Sequence, residues 1–133
     1  MAGVVADTHT IVWYLFEPQR LSAAANRAIE DALNAGESIF ISSISLIEIV
    51  YLSEKGRLPS QMPQQLDSIL QSDGSEIQVI SVSANTARIM RGISRSSVPD
   101  MPDRIIAATA LELNLPLITR DRKIQVSQVA TIW

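Results

Sequence analysis

Four acids in this 133-residue chain stand where their type and surroundings could do chemistry: Asp7, Glu48, Asp103 and Asp121. Asp7 directly follows the apolar run GVVA, and Asp121 follows LIT with only Arg120 between. Ligands of open parallel α/β sheets bind beyond the carboxyl ends of the strands, so acids that end two strands belong at one edge of the sheet. Aspartate is also a good helix N-cap, and capping alone accounts for either residue taken singly. Glu48 is different, because it stands in SLIEIVYL among apolar neighbours, where an unpaired charge is costly. It needs either a buried Arg or Lys partner or a bound cation. Asp103 opens DRIIAATALELN, where it offsets the helix dipole and forms a passable capping box with Asp100. Should the four converge, each pair about 4 Å apart would repel by about 4 kcal/mol at an effective dielectric near 20. Such a cluster must take up protons, recruit cationic side chains or bind cations. Oxygen ligands without His or Cys suit magnesium or manganese rather than zinc.

The elements that must position these acids alternate short β-branched runs with helical segments, which predicts an α/β fold with a mainly parallel sheet of about five strands covered on both faces. The expected strands are Gly3 to Ala6, Ser38 to Ser42, Ile77 to Val82, Leu117 to Thr119 and Val129 to Ile132. Helices are expected over Thr10 to Phe16, Ser22 to Asn34, Ser45 to Lys55, Pro63 to Gln71, Ala84 to Arg95 and Pro102 to Asn114. Gly36 and Gly56 offer stops, as does Asn114 followed by Pro116.

A chain of this length, without a linker-like stretch, predicts one domain over residues 1–133. With 47% hydrophobic residues it can bury a core unaided, and the absence of cysteine excludes disulfides and thiolate metal sites. That fits the cytoplasm. The apolar N-terminus lacks a basic leader and is interrupted by Asp7, short of the roughly 20 residues that cross a bilayer, so no membrane association is expected. The net charge of -3 hides an acidic first part and a basic stretch from Arg88 to Lys123. Setting aside the four acids leaves +1, so the remaining surface need not repel a polyanion.

In order along the chain, VVADTHTIVWYL, SSISLIEIVYLSEKGRL and DMPDRIIAATALELNLPLITRD resemble the PIN-domain ribonucleases, most closely the VapC-type toxins of bacterial toxin–antitoxin pairs. The resemblance runs from the first strand to the terminal VATIW and is least diagnostic from Gln61 to Ser97. Two local departures are Ile47, where relatives often carry an aromatic, and DMPDR in place of a DPFDR-like motif; neither removes an acid. The resemblance implies a PIN-like α/β/α sandwich and hydrolysis of RNA phosphodiesters with Mg²⁺ or Mn²⁺. It makes Asp7, Glu48, Asp103 and Asp121 both the metal-binding and the catalytic set, with Thr8 and Thr119 as supporting hydroxyls. It also implies a homodimer and a cognate antitoxin that covers the site.

RNA phosphates would meet the basic stretch: Arg88, Arg91 and Arg95 at i, i+3 and i+7 of one expected helix, and Arg104 and Arg120 beside the acids. The single histidine, His9, is not needed as a base, and Trp13, Tyr14, Phe16 and Tyr51 are expected in the core or a dimer interface. An aspartate-based phosphatase would want a second Asp where His9 stands. A non-catalytic PIN-like interaction module is the other alternative.

Overall fold

The computed structural model describes residues 2–125 and 127–133. Its five strands are β1 (Gly3–Ala6), β2 (Ser38–Ser42), β3 (Ile77–Ile80), β4 (Leu117–Ile118) and β5 (Thr131–Ile132), and they form one sheet in the order β3-β2-β1-β4-β5. All four pairings are parallel, as the alternation of strands and helices predicts. The helices are α1 (Thr8–Phe16), α2 (Ala23–Asn34), α3 (Ser43–Glu54), α4 (Met62–Gln71), α5 (Ala84–Met90), α6 (Met101–Leu113) and the short α7 (Arg122–Gln125). A 3-10 turn, Pro18–Arg20, folds the chain back after α1.

Strand periodicity of two divides the core into two layers. Val4, Ala6, Ile39, Ile41 and Ile118 face one layer, where they meet Ile11 and Trp13 of α1, Ile29 of α2, Ile49 of α3 and Leu66 of α4. Their neighbours Val5, Phe40 and Leu117 point the other way, against Ile106, Ala107 and Ala110 of α6 and Ile124 of α7. Small alanines along α6 let that helix lie close to the sheet. The result is a sandwich of helices, sheet and helices.

Connectivity then fixes where a site can form. From β1 the chain moves outward through β2 to β3, then returns to the other side of β1 for β4 and β5. The order of strand addition therefore reverses between β1 and β4, and a crevice opens beyond their carboxyl ends. Asp7 caps the helix that leaves β1, and its backbone N–H donates to Ile118 O of β4 at 3.3 Å.

The start of β1 carries a backbone constraint. Gly3 has φ +136, and a Cβ there would lie 2.1 Å from Ser38 O, whose residue is its partner across the β1–β2 ladder. Both the dihedral and the clash oppose a side chain. Gly3→Ala is expected to cost about 3 kcal/mol or more, lowering the thermal midpoint by about 10 °C or more in a calorimetric melt, and a change within error would contradict it.

The boundaries of the expected elements fall within two residues of expectation at every end but one. The expected helix Ala84 to Arg95 stops at Met90, because the following turn must drop Ile93 and then Val98 into the α6 layer. Arg88, Arg91 and Arg95 consequently do not share one helix: Arg91 is the C-cap of α5 and Arg95 lies in the turn beyond. The strand expected from Val129 pairs only over Thr131–Ile132, and α7 was not anticipated.

Candidate active site

Asp7, Glu48, Asp103 and Asp121 all line one cavity of about 580 Å³ at the reversal point, together with Asp100, His9, Trp13, Arg20 and Arg120. The four acids come from four elements: the end of β1, the second turn of α3, the first turn of α6 and the segment after β4. Among the described residues no three of them stand close enough to surround one ion as they are.

Asp7 is held from two sides. Its Oδ1 accepts from Thr10 N at 2.9 Å, which caps α1, and its Oδ2 accepts a short bond of 2.5 Å from the Thr119 hydroxyl. Thr119 also accepts from Asp121 N at 3.0 Å, so one hydroxyl ties the ends of β1 and β4 together. The capping role and the site position of Asp7 thus coexist. Asp121 caps the short α7, its Oδ1 accepting from Lys123 N at 2.8 Å.

The Glu48 Oε1 takes a hydrogen bond from the Thr8 hydroxyl, which also contacts the Ser45 hydroxyl at 2.9 Å. Thr8 and Thr119 therefore serve one acid each, on adjacent elements. Burial is the main reason that the Glu48 carboxyl is raised above its ordinary range; the Thr8 bond partly opposes this, while the charges of Asp100 and Asp7 add to it. No Arg or Lys forms an ion pair with Glu48 among the described residues, where the one ion pair joins Arg20 to Glu17. The Thr8 hydroxyl and the nearby His9 therefore relieve the cost of its charge only in part.

Asp103 is perturbed most. Its pKa is pushed up to about 8, first by burial, then by the hydrogen bond that its protonated form donates to the Asp121 carboxylate, then by the charges of Asp100, Asp121 and Glu48. The capping box expected between Asp100 and Asp103 is only half formed: Asp100 Oδ2 accepts from Asp103 N at 3.2 Å, and it is Asp100 that caps α6. The Asp103 carboxyl is left to the cavity. Asp100 itself, read from the sequence only as a cap, is a fifth carboxylate of the lining; its position three residues before Asp103, one helical turn, was the available signal.

The arginines beside the acids separate. Arg104 does not line the cavity; its Nη2 donates to Met90 O at 3.0 Å and Ile93 O at 2.9 Å, and its Nε is buried. It closes the carboxyl end of α5, so the expected phosphate contact at Arg104 is replaced by a structural one. The cause is the early end of α5, which leaves carbonyls that need a donor. Arg120, by contrast, lines the cavity and is exposed. His9 is exposed on the cavity rim, its ring centroid 5.6 Å from that of the buried Trp13. Tyr14 and Phe16 pack against the core and Tyr51 is exposed.

Taken as a donor set, these residues fit a hard divalent cation: carboxylates only, two of them with pKa values raised first by burial and further by neighbouring negative charge, and, among the described residues, no Arg or Lys ion-paired with any of the four. Comparison with known proteins bears on the family. Residues 4–130 match the PIN domain family model. The chain is 32% identical over 136 residues, covering the whole of both chains, to "Ribonuclease VapC22" of Mycobacterium tuberculosis. Its fold is similar to a chain in the structure of VapBC2 from Rickettsia felis bound to a DNA fragment from their promoter, at TM-score 0.70 and 21% identity over 96% of both chains. A chain of DNA-bound VapBC from Salmonella typhimurium is equally similar, at TM-score 0.70 and 20% identity over 98% of this chain and 97% of that one. With the parallel five-stranded sheet, the acids at its reversal point and a family match over nearly the whole length, the chain belongs to the PIN-domain family.

Proposed function

We propose that this chain, folding as a single domain over residues 1–133, is a divalent-metal-dependent endoribonuclease and the toxin half of a toxin–antitoxin pair. The observation that carries the reading is the gathering of Asp7, Glu48, Asp103 and Asp121 around one cavity without a cationic partner among the described residues. The family and the ribonuclease named among its relatives supply the substrate class. Asp7 and Asp103 are the primary ligands for Mg²⁺ or Mn²⁺, with Glu48 and Asp121 completing the set. When bound, such an ion lowers the pKa of water and offsets charge on the attacking and leaving oxygens of a phosphodiester.

The protein's own groups prepare that chemistry. Thr119 and Thr10 N fix the Asp7 carboxylate, and Thr8 fixes that of Glu48, so neither must be reoriented when RNA arrives. The Asp103 carboxyl, its pKa pushed up to about 8 by burial and its acidic neighbours, must release its proton for the acid set to be fully charged. Arg120 on the rim meets a substrate phosphate.

A cognate antitoxin is the proposed partner. Next to the acids, sharing His9, Trp13 and Arg20 with their cavity, lies a groove of about 600 Å³ lined by Val12, Phe16, Leu52 and Met62. An inhibitor segment with apolar residues for the groove and a basic side chain for the acids matches both in charge and in polarity. A homodimer would cover the exposed apolar row of α3, where Ile47 is 62% and Tyr51 59% exposed beside Val50. Among the described residues no helix is long and apolar enough to cross a membrane. The proposed compartment is the cytoplasm.

The test is cleavage of total cellular RNA by the purified chain. Activity is expected with Mg²⁺ or Mn²⁺, lost with EDTA and restored by excess Mn²⁺. Cleavage that persists in EDTA would sink the metal-dependent reading.

A further inference from the structure

Two arginines on the rim of the acid cavity share one aromatic support. The Pro18–Arg20 turn brings the Arg20 guanidinium back over the Trp13 ring, 4.6 Å from its centroid, and Arg120, arriving from the end of β4, stands 6.0 Å from the same ring. Trp13 is itself buried and wedged between His9 and Trp133, whose centroids lie 5.6 and 5.8 Å away. It is therefore a fixed platform. Both guanidiniums are exposed and line the cavity, yet neither pairs with Asp7, Glu48, Asp103 or Asp121 among the described residues. Arg20 spends one donor on Glu17 at 3.0 Å, leaving the rest of its fork unused.

We propose that Arg20 and Arg120 form a two-guanidinium grip on the phosphates of the RNA strand flanking the one that enters the acid cavity, and that Trp13 is the positioning residue for both. The claim rests on the ribonuclease reading above. A cavity lined by five carboxylates repels a polyanion, and a cationic rim held off those acids by an indole draws the strand to the edge without neutralising the site. Stacking on the indole also restricts two otherwise floppy side chains before RNA binds. Arg20 gave no signal in the sequence, because its nearness to the acids depends on the turn that Pro18 starts.

The experiment measures manganese-dependent cleavage of total cellular RNA by the full chain across a monovalent salt series. Arg20→Ala and Arg120→Ala are each expected to raise KM about tenfold at low salt with kcat within about twofold, and to reduce the slope of log(kcat/KM) against log[salt] by about 0.7, the value for one single-strand phosphate contact. Trp13→Leu should reproduce both losses together. Trp13→Phe, which keeps a ring and most of the packing, should lie between it and the wild type. Wild-type cleavage with unchanged salt slopes in both arginine variants overturns the grip and leaves the ribonuclease reading standing. A wild type without metal-dependent cleavage overturns both.

Discussion

Asp7→Asn should abolish RNA cleavage, by on the order of 10³-fold or more, in a protein that still folds. The size follows from the charge removed: one unit charge about 4 Å from another contributes about 4 kcal/mol at an effective dielectric near 20, and that is roughly three powers of ten in rate. Facing a divalent ion the loss can only be larger. The preserved fold follows from the local geometry. Asparagine caps helices as well as aspartate does, and its carbonyl can still accept from Thr10 N, which is what Asp7 Oδ1 does at the start of α1. The bond from the Thr119 hydroxyl is weakened, because an amide nitrogen does not accept it. Single-turnover cleavage with Mn²⁺, beside a thermal melt, separates the two effects. Activity above about a tenth of wild type would mean that Asp7 is only a cap, whereas unfolding would mean that the Thr119 tie is its main role.

The fold could be read from the sequence because its signals are local. Apolar strands of four or five residues, small-residue helices and the breakers Gly36, Gly56 and Asn114 each mark their own position, and Asn114 does adopt the left-handed conformation, φ 54, that ends α6. Glu48 stood out for the same reason, as a charge in an apolar stretch. What the sequence hid depends on contacts between distant segments. Arg104 looks like a phosphate ligand until α5 is found to end at Met90, whose carbonyl it then takes. Asp100 looks like a cap alone until α6 is set against α3 and its charge falls on Glu48. Arg20 carries no signal at all until the turn after α1 stacks it on Trp13. Even the alternative of an aspartate-based phosphatase bears on one place in space: where it would need a second acid, His9 lies on the cavity rim, exposed and beside Trp13.

Asp103→Asn is expected to do two opposite things: to remove most of the RNA cleavage and to stabilise the metal-free protein at pH 8. The second effect comes from the raised pKa. Because the folded protein holds the Asp103 proton up to about pH 8 while the unfolded chain releases it near 3.8, folded molecules bind more protons between those values. Stability must then fall as pH rises through that window, and the contribution is complete only below the lower value. Burial is partial, so a discounted penalty on the order of 1–2 kcal/mol at pH 8 is the appropriate scale. Asparagine cannot ionise, retains a donor for the Asp121 carboxylate and removes that penalty. In EDTA the variant should melt about 3–10 °C above wild type at pH 8, with the gap narrowing toward pH 5. Adding Mg²⁺ reverses the order, because cation binding stabilises only a protein that can supply the charge, and the wild-type gain should grow with pH as the Asp103 proton becomes easier to displace. A metal-free variant no more stable than wild type at pH 8 would show that Asp103 is not held against its charge, and the expected growth of the Mg²⁺ effect with pH would go with it.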